Sequence, residues 1–403
     1  MISTALIIGA GVAGPATALA LQKAGIDSVV YEAHPHSADG VGVFLTVASN
    51  GVDALRVLGA DQPVLAAGFA TPGITLRSGT GKKLGSSRTG QRLPDGTVSQ
   101  TITRAALYRA LYQETSQRGI RVEHGKRLVA AEDLGHSVRA VFADGSEATA
   151  DVLIGCDGVH STVRRIIDPA APAPGYTGLL TTGGYAHGVQ VDTQPGSYEM
   201  IFGKRAFFGY AVAPSTDVWW FANLARRPEP GRGELAEWSG DEGRARLLDL
   251  FADDAGPAVD LIKASPEIMP MSPIHTLAHL PSWHRNRMIV IGDAAHAPSP
   301  TSGQGASLSV EDAIVLAQCL RDEPTPQAAF TRFTAARRPR VEKIIKWAAR
   351  INNNKIAGPV GRVVRDAMLP PILKMTADSK ALRQTFDYHL DWDAPAYAHG
   401  ARP

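Results

Sequence analysis

Gly9-Ala10-Gly11-Val12-Ala13-Gly14 is a GxGxxG run, a spacing that lets backbone N–H groups approach a phosphate without side-chain interference. At 40 glycines in 403 residues, such a run arises by chance about 0.4 times, so its surroundings decide its meaning. It follows an apolar strand pattern, Thr4 to Ile8, and opens a helix pattern from Ala13 to Ala24 that Gly25 ends. Glu32 then closes a second strand pattern about twenty residues on, where an acid can accept hydrogen bonds from ribose hydroxyls. The helix N-terminus adds free N–H groups and a favourable dipole for a pyrophosphate. Alone, this βαβ unit suggests a nicotinamide dehydrogenase.

Two later runs change that reading. Val152 to Arg164 is a strand, an Asp157-Gly158 turn and the start of a short helix. Met288 to Gly305 is a strand, a Gly292-Asp293 turn and a long Gly/Pro loop through Pro300 and Gly303 into a helix from about Ala306. Asp293, acceptor-only when ionised, suits a polyol hydroxyl. Glycines at 303 and 305 leave N–H groups free at a helix N-terminus, which favours a negatively charged ring edge.

The three runs together resemble the single-component FAD-dependent aromatic hydroxylases, typified by para-hydroxybenzoate hydroxylase, over most of residues 1 to 340. In length the chain is similar to tetracycline-inactivating and salicylate-type members. The resemblance implies that Gly9, Gly11, Ala13, Gly14 and Glu32 hold the ADP half of FAD, that Arg104 reaches the cofactor, and that Leu128 borders the adenine. It implies that Asp157 serves FAD and NAD(P)H, and that Gly292, Asp293, Pro300, Gly303 and Gly305 hold the flavin end. The activity implied is oxygenation of an aromatic or polycyclic compound with NAD(P)H and O2 through a flavin C4a-hydroperoxide. A halogenase or prenyl reductase on the same scaffold, or a flavoprotein that sequesters a ligand, are the rival readings; no Trp-x-Trp-x-Ile-Pro halogenase motif is present. The chain departs from the family at 37–50, where Asp39 is the only charged residue and the usual arginine is missing, and at Tyr185-Ala186-His187-Gly188, where relatives carry Arg-Gly. The catalytic acid or base is left unassigned.

These motifs need an α/β architecture: a Rossmann-like FAD-binding domain with an inserted, mainly antiparallel β-sheet and C-terminal helices. The expected boundaries are 1–72, 100–174 and 276–340 for FAD, 73–99 and 175–275 for substrate, and 341–403 for the C-terminal helical segment; the helical pattern that starts at Gln327 is expected to break near Pro339, Pro359 and Pro370-Pro371. In the inserted sheet Tyr198 to Phe202, Ala206 to Ala213 and Val218 to Leu224 read as strands. Alternation puts Phe208 and Tyr210 on one face, with Trp220 joining them, and Tyr198 with Met200 likewise. Tyr185, Met200, Phe208, Tyr210 and Trp220 are the expected substrate residues, with ordinary sheet core as the alternative for these aromatics.

His296 is read as ordering its loop rather than transferring protons. Asp144-Gly145 and Gly79-Thr80-Gly81-Lys82 read as turns, and Arg337-Arg338-Pro339-Arg340 as a solvated helix face. Lys+Arg 41 against Asp+Glu 39 leaves a net charge of +2, which gives no footprint for nucleic acid. Nothing is apolar for long enough to span a membrane. Two cysteines, Cys156 and Cys319, fit a reducing cytoplasm, and no cluster has metal-ligand spacing.

Overall fold

The computed structural model describes residues 2–35, 42–236, 238, 240–354, 358–376 and 379–396. Its framework is a six-stranded sheet in the order His284–Arg285, Met288–Val290, Val152–Gly155, Thr4–Ile8, Asp27–Tyr31, Arg121–Glu123. All neighbours are parallel except the outer hairpin. Leu153 and Ile154 in the centre are fully buried, as strands covered on both faces require. The helix Ala13–Lys23 packs on this sheet together with Gly305–Asp322, and Pro326–Asn354 packs on the latter. Gly25, at φ +76°, supplies the left-handed turn that returns the first helix to the second strand.

The inserted sheet has seven strands in the order Ser272–Thr276, Gly175–Ala186, Val218–Ala225, Ala206–Val212, Tyr198–Phe202, Gly73–Ser78, Lys83–Arg88. They pair antiparallel, save for Tyr198–Phe202 alongside Gly73–Ser78. Helices Gly240–Phe251 and Ala258–Ala264 cover one face. The other face meets a small sheet built from Phe44–Val47, Gln100–Thr103 and Phe69–Ala70. No helix among the described residues is long and apolar enough to cross a membrane.

The tail departs from expectation at two of the three breaks expected from its prolines. Pro339 lies inside the helix Pro326–Asn354, and Pro370-Pro371 inside Pro359–Thr376, while Pro359 does start a helix. Around Pro339, buried Val341 and Ile344 and the anchored guanidiniums of Arg337 and Arg340 hold the backbone in place, so tertiary contacts outweigh the missing N–H.

Candidate active site

The glycine loop is shaped by two contacts and one opening. Gly9 sits at φ +104°, and a Cβ there would lie 2.5 Å from the Cys156 carbonyl oxygen; one at Gly14 would lie 1.9 Å from the Gly9 oxygen. At Gly11 a Cβ would meet no atom within 4 Å, so the loop keeps open space above it. No side chain caps the helix Ala13–Lys23. Glu32 braces the rim: its Oε2 accepts from the Ala10 N–H (2.7 Å) and its Oε1 from the His34 N–H (2.9 Å). Lys126 donates its backbone N–H to the Glu32 carbonyl (2.7 Å), which brings buried Leu128, two residues on, to the same end of the sheet.

The Asp157 turn packs against this loop through Cys156. Asp157 Oδ1 accepts from the Ser161 hydroxyl (2.5 Å), and Oδ2 accepts from the N–H groups of Thr162 (2.7 Å) and Val163 (3.0 Å), so the carboxylate caps the helix Thr162–Ile167. Burial pushes its carboxyl above the ordinary value despite these donors. Gly158, at φ +74°, again faces open space. Arg164, not foreseen from the sequence, donates to the carbonyls of Val159 (2.7 Å) and Ala294 (2.9 Å) and thereby ties the second turn to the third.

The third turn rests on the first: at Gly292, φ +57°, a Cβ would come within 3.2 Å of Ala13 Cβ and 2.9 Å of Ser309 Oγ. Asp293 projects from it and is exposed, although its neighbours on both sides are buried. His296 and Arg104 lie close enough to favour its charged form. A Cβ at Gly305 would lie 3.9 Å from Asp293 Oδ1, which sets the carboxylate at the uncapped N-terminus of Gly305–Asp322. Pro300 begins a short 3-10 turn that Gly303 ends in the left-handed region (φ +59°) with nothing near its missing side chain. Arg104 opens the helix Arg104–Gln117 with its Nε buried and unpartnered, beside Gly42. The loop that should carry the family arginine lies partly outside the described residues, at 37–41.

These observations fit FAD. Open space at Gly11, an uncapped helix and an acid at the rim suit an ADP moiety. A second uncapped helix, a reachable carboxylate and an orphaned guanidinium nitrogen suit the polyol and the anionic ring end.

Beneath the third turn lies an ion network that the sequence reading placed in solvent. Arg337, fully buried, donates to Asp312 Oδ1 (2.6 Å) and Glu311 Oε2 (2.8 Å); Arg340 binds both oxygens of Glu311 (2.8 Å each). Asp312 Oδ2 accepts from the Gly292 N–H (2.9 Å), and His296 Nε2 lies 2.6 Å from it. Burial opposes charge on Asp312, but His296 and Arg337 outweigh it and hold the carboxyl at about 2. Asn50 bridges Glu311 (2.7 Å) and Gln304 (2.9 Å), extending the network to the residue just before the helix Gly305–Asp322. The solvated-face reading of Arg337 and Arg340 is therefore corrected. Two adjacent acids, Glu311-Asp312, in a stretch from Leu308 to Leu320 that is otherwise uncharged and mostly apolar were the signal that pointed to an internal cation.

The inserted sheet also splits the expected substrate residues. Phe208, Tyr210 and Trp220 do share a face, with Phe208 and Trp220 stacked at 5.4 Å, but Phe251, Leu247 and Leu261 of the covering helices pack on it. Phe208 and Trp220 are fully buried, and Trp220 Nε1 donates to Ser265 Oγ (2.7 Å). They form sheet core beneath the helices Gly240–Phe251 and Ala258–Ala264. Tyr185 and Met200 lie on the opposite face with Trp219 and Phe221, by register. Phe44 and Phe69 approach that face, at 5.9 and 5.1 Å from the Trp219 ring, and the Tyr185 hydroxyl donates to the Val43 carbonyl (2.8 Å). Its edge strand continues to Leu277, which bridges to Ala297 of the third turn.

The family described as FAD binding domain matches residues 3–348. Aurachin C monooxygenase/isomerase of Stigmatella aurantiaca is 31% identical over 352 residues, covering 86% of this chain and 88% of the relative. FAD-dependent urate hydroxylase of Klebsiella pneumoniae is 31% identical over 357 residues, covering 85% and 87%. The structure of Klebsiella pneumoniae HpxO with FAD and uric acid superposes with a TM-score of 0.81 at 24% identity, covering 95% of this chain and 97% of that one.

Proposed function

Since this chain belongs to the FAD binding domain family of flavoprotein monooxygenases, we propose that its three converging turns hold FAD and that the Tyr185–Trp219 sheet face presents an aromatic substrate to it. The chain is an FAD-dependent monooxygenase of the aromatic-hydroxylase class, with NAD(P)H as the usual reductant of that class and O2 as co-substrate. When bound, FAD supplies hydride acceptance and oxygen activation; the protein supplies binding, orientation and exclusion of water.

The N–H groups of the glycine loop and the dipole of Ala13–Lys23 bind the pyrophosphate, and Glu32, already fixed by Ala10, accepts from the ribose. Asp293 accepts from the ribityl chain. The uncapped N-terminus of Gly305–Asp322 would hold the ring end of the cofactor, where it would favour negative charge. Arg104, with a free Nε, and the Asp157 turn complete the cofactor side. The observation that carries this reading is the mutual packing of the turns: Gly9 on Cys156, Gly292 on Ala13, and Arg164 on Ala294, with the open positions Gly11, Gly158 and Gly303 left uncovered. The nicotinamide cofactor binds transiently across the junction near Asp157, because the sequence holds no second strand-GxGxxG-helix unit. With two free, buried cysteines, a reducing cytoplasm is the compartment proposed.

A compound screen for faster NAD(P)H oxidation by the FAD-loaded protein tests this. Stimulation by an aromatic compound is expected. FAD-loaded protein that binds aromatics without any stimulation would favour a ligand-sequestering role instead.

A further inference from the structure

The sheet face that meets Phe44–Val47 differs from its reverse in charge. On the strands Gly73–Ser78 and Tyr198–Phe202 the charged side chains, Arg77 and Glu199, point to the reverse face and bind each other (2.5 Å). Register places Tyr185, Met200, Trp219 and Phe221 on the near side, with Phe44 and Phe69 across from them. Among the described residues of the strands from Gly73–Ser78 to Gly175–Ala186, no Asp, Glu, Lys or Arg shares that side, by the same register. The Tyr185 phenol proton is spent on the Val43 carbonyl. What remains is a set of tilted ring faces and a thioether, partly buried apart from buried Phe69, that contact flat apolar rings well; Arg365 lies over the Phe202 ring at the far end of this side, but it is already paired with Asp366 (2.7 Å). A carboxylate brought against such a surface loses its hydration without gaining an ion pair.

We propose that the substrate is an uncharged aromatic compound, without carboxylate or phosphate, recognised by ring contact. This rests on the reading above that the substrate lies between this face and the flavin-side loop. Met200 and Trp219 then set specificity, and the Arg77–Glu199 pair takes no part.

The test uses the FAD-loaded enzyme and a matched pair: 2-naphthol, neutral near pH 7.5, and 3-hydroxy-2-naphthoate, the same rings with a carboxylate. Each is titrated while the change in flavin absorbance or fluorescence is followed. The naphthol is expected to bind at least tenfold more tightly. Met200→Arg, which places a cation on the face, should shrink that ratio severalfold, whereas Glu199→Gln on the reverse face should leave it unchanged. Equal or tighter binding of the carboxylate overturns the proposal, as does failure of both compounds to perturb the flavin or a ratio that Met200→Arg leaves untouched. NAD(P)H consumption separates this from the broader reading. Stimulated turnover on the carboxylate alone would sink the neutral-substrate proposal and leave the monooxygenase standing. Selective naphthol binding without turnover would uphold recognition by ring contact and count against the monooxygenase reading.

Discussion

Replacing Arg337 by Leu removes the cation that two fully buried carboxylates share. Arg337 donates to Asp312 at 2.6 Å and to Glu311 at 2.8 Å, and all three side chains are at 0% exposure. Glu311 keeps Arg340 and Asn50, so the damage falls on Asp312, left with His296 and the Gly292 N–H. Breaking one member out of a buried ion pair costs about 3–5 kcal/mol, because the remaining charge stays desolvated. The Asp312 carboxyl reports on the same network, with His296 the larger favourable influence and Arg337 the next. Held at about 2 against about 3.9 in an unfolded chain, it contributes on the order of 2–3 kcal/mol. Its folded value is depressed, so this contribution is present above about pH 4 and fades as pH falls toward 2. Urea unfolding of the holoenzyme followed by tryptophan fluorescence should show Arg337→Leu about 3 kcal/mol or more less stable at pH 7. The gap to the parent should narrow on acidification below about pH 4. FAD should also leave more readily, since Asp312 fixes the Gly292 N–H beneath Asp293. A loss below about 1 kcal/mol, as for a solvated arginine, or a gap unchanged by acid would refute the reasoning.

Phe208→Ala should cost about 3–5 kcal/mol in the same unfolding assay and leave substrate KM unchanged, because its ring packs between Trp220 and Phe251. Trp219→Ala should show the reverse pattern, with a raised KM and more NAD(P)H consumed without product; a raised KM for Phe208→Ala alone would invert the two faces. Glu32→Ala should weaken FAD about tenfold or more by removing a charged acceptor and the brace on Ala10, measured by flavin fluorescence titration. Asp293→Asn should bind FAD more weakly at neutral pH in the same titration, and an unchanged affinity would refute the assignment.

What the sequence made legible was local. The strand Thr4–Ile8, the helix from Ala13 and the strands Tyr198–Phe202 and Val218–Ala225 each follow from short apolar patterns and glycine punctuation within one segment. The shared face of Phe208, Tyr210 and Trp220 was legible for the same reason, since alternation is a property of the strand. Which layer would cover that face was not, because it depends on helices Gly240–Phe251 and Ala258–Ala264 folding back from more than twenty residues away. The ion network failed for a similar cause: Arg337 and Asp312 sit on different helices, 25 positions apart, and a run of arginines in isolation looks solvated. Pro339 inside a continuous helix is the local cost of that anchorage. Arg164 was hidden because its partners are backbone carbonyls, which no residue pattern announces.

The central claim is that this chain inserts one atom of molecular oxygen into an aromatic compound at the FAD site built from the three turns. The most direct measurement is turnover under 18O2 with NAD(P)H and an aromatic compound that stimulates oxidation, with the product read by mass spectrometry. One 18O atom per product molecule is expected, with Asp293→Asn forming product in proportion to the FAD it retains. Product that carries oxygen from water, or NAD(P)H oxidation that yields only hydrogen peroxide with every stimulating compound, would contradict it.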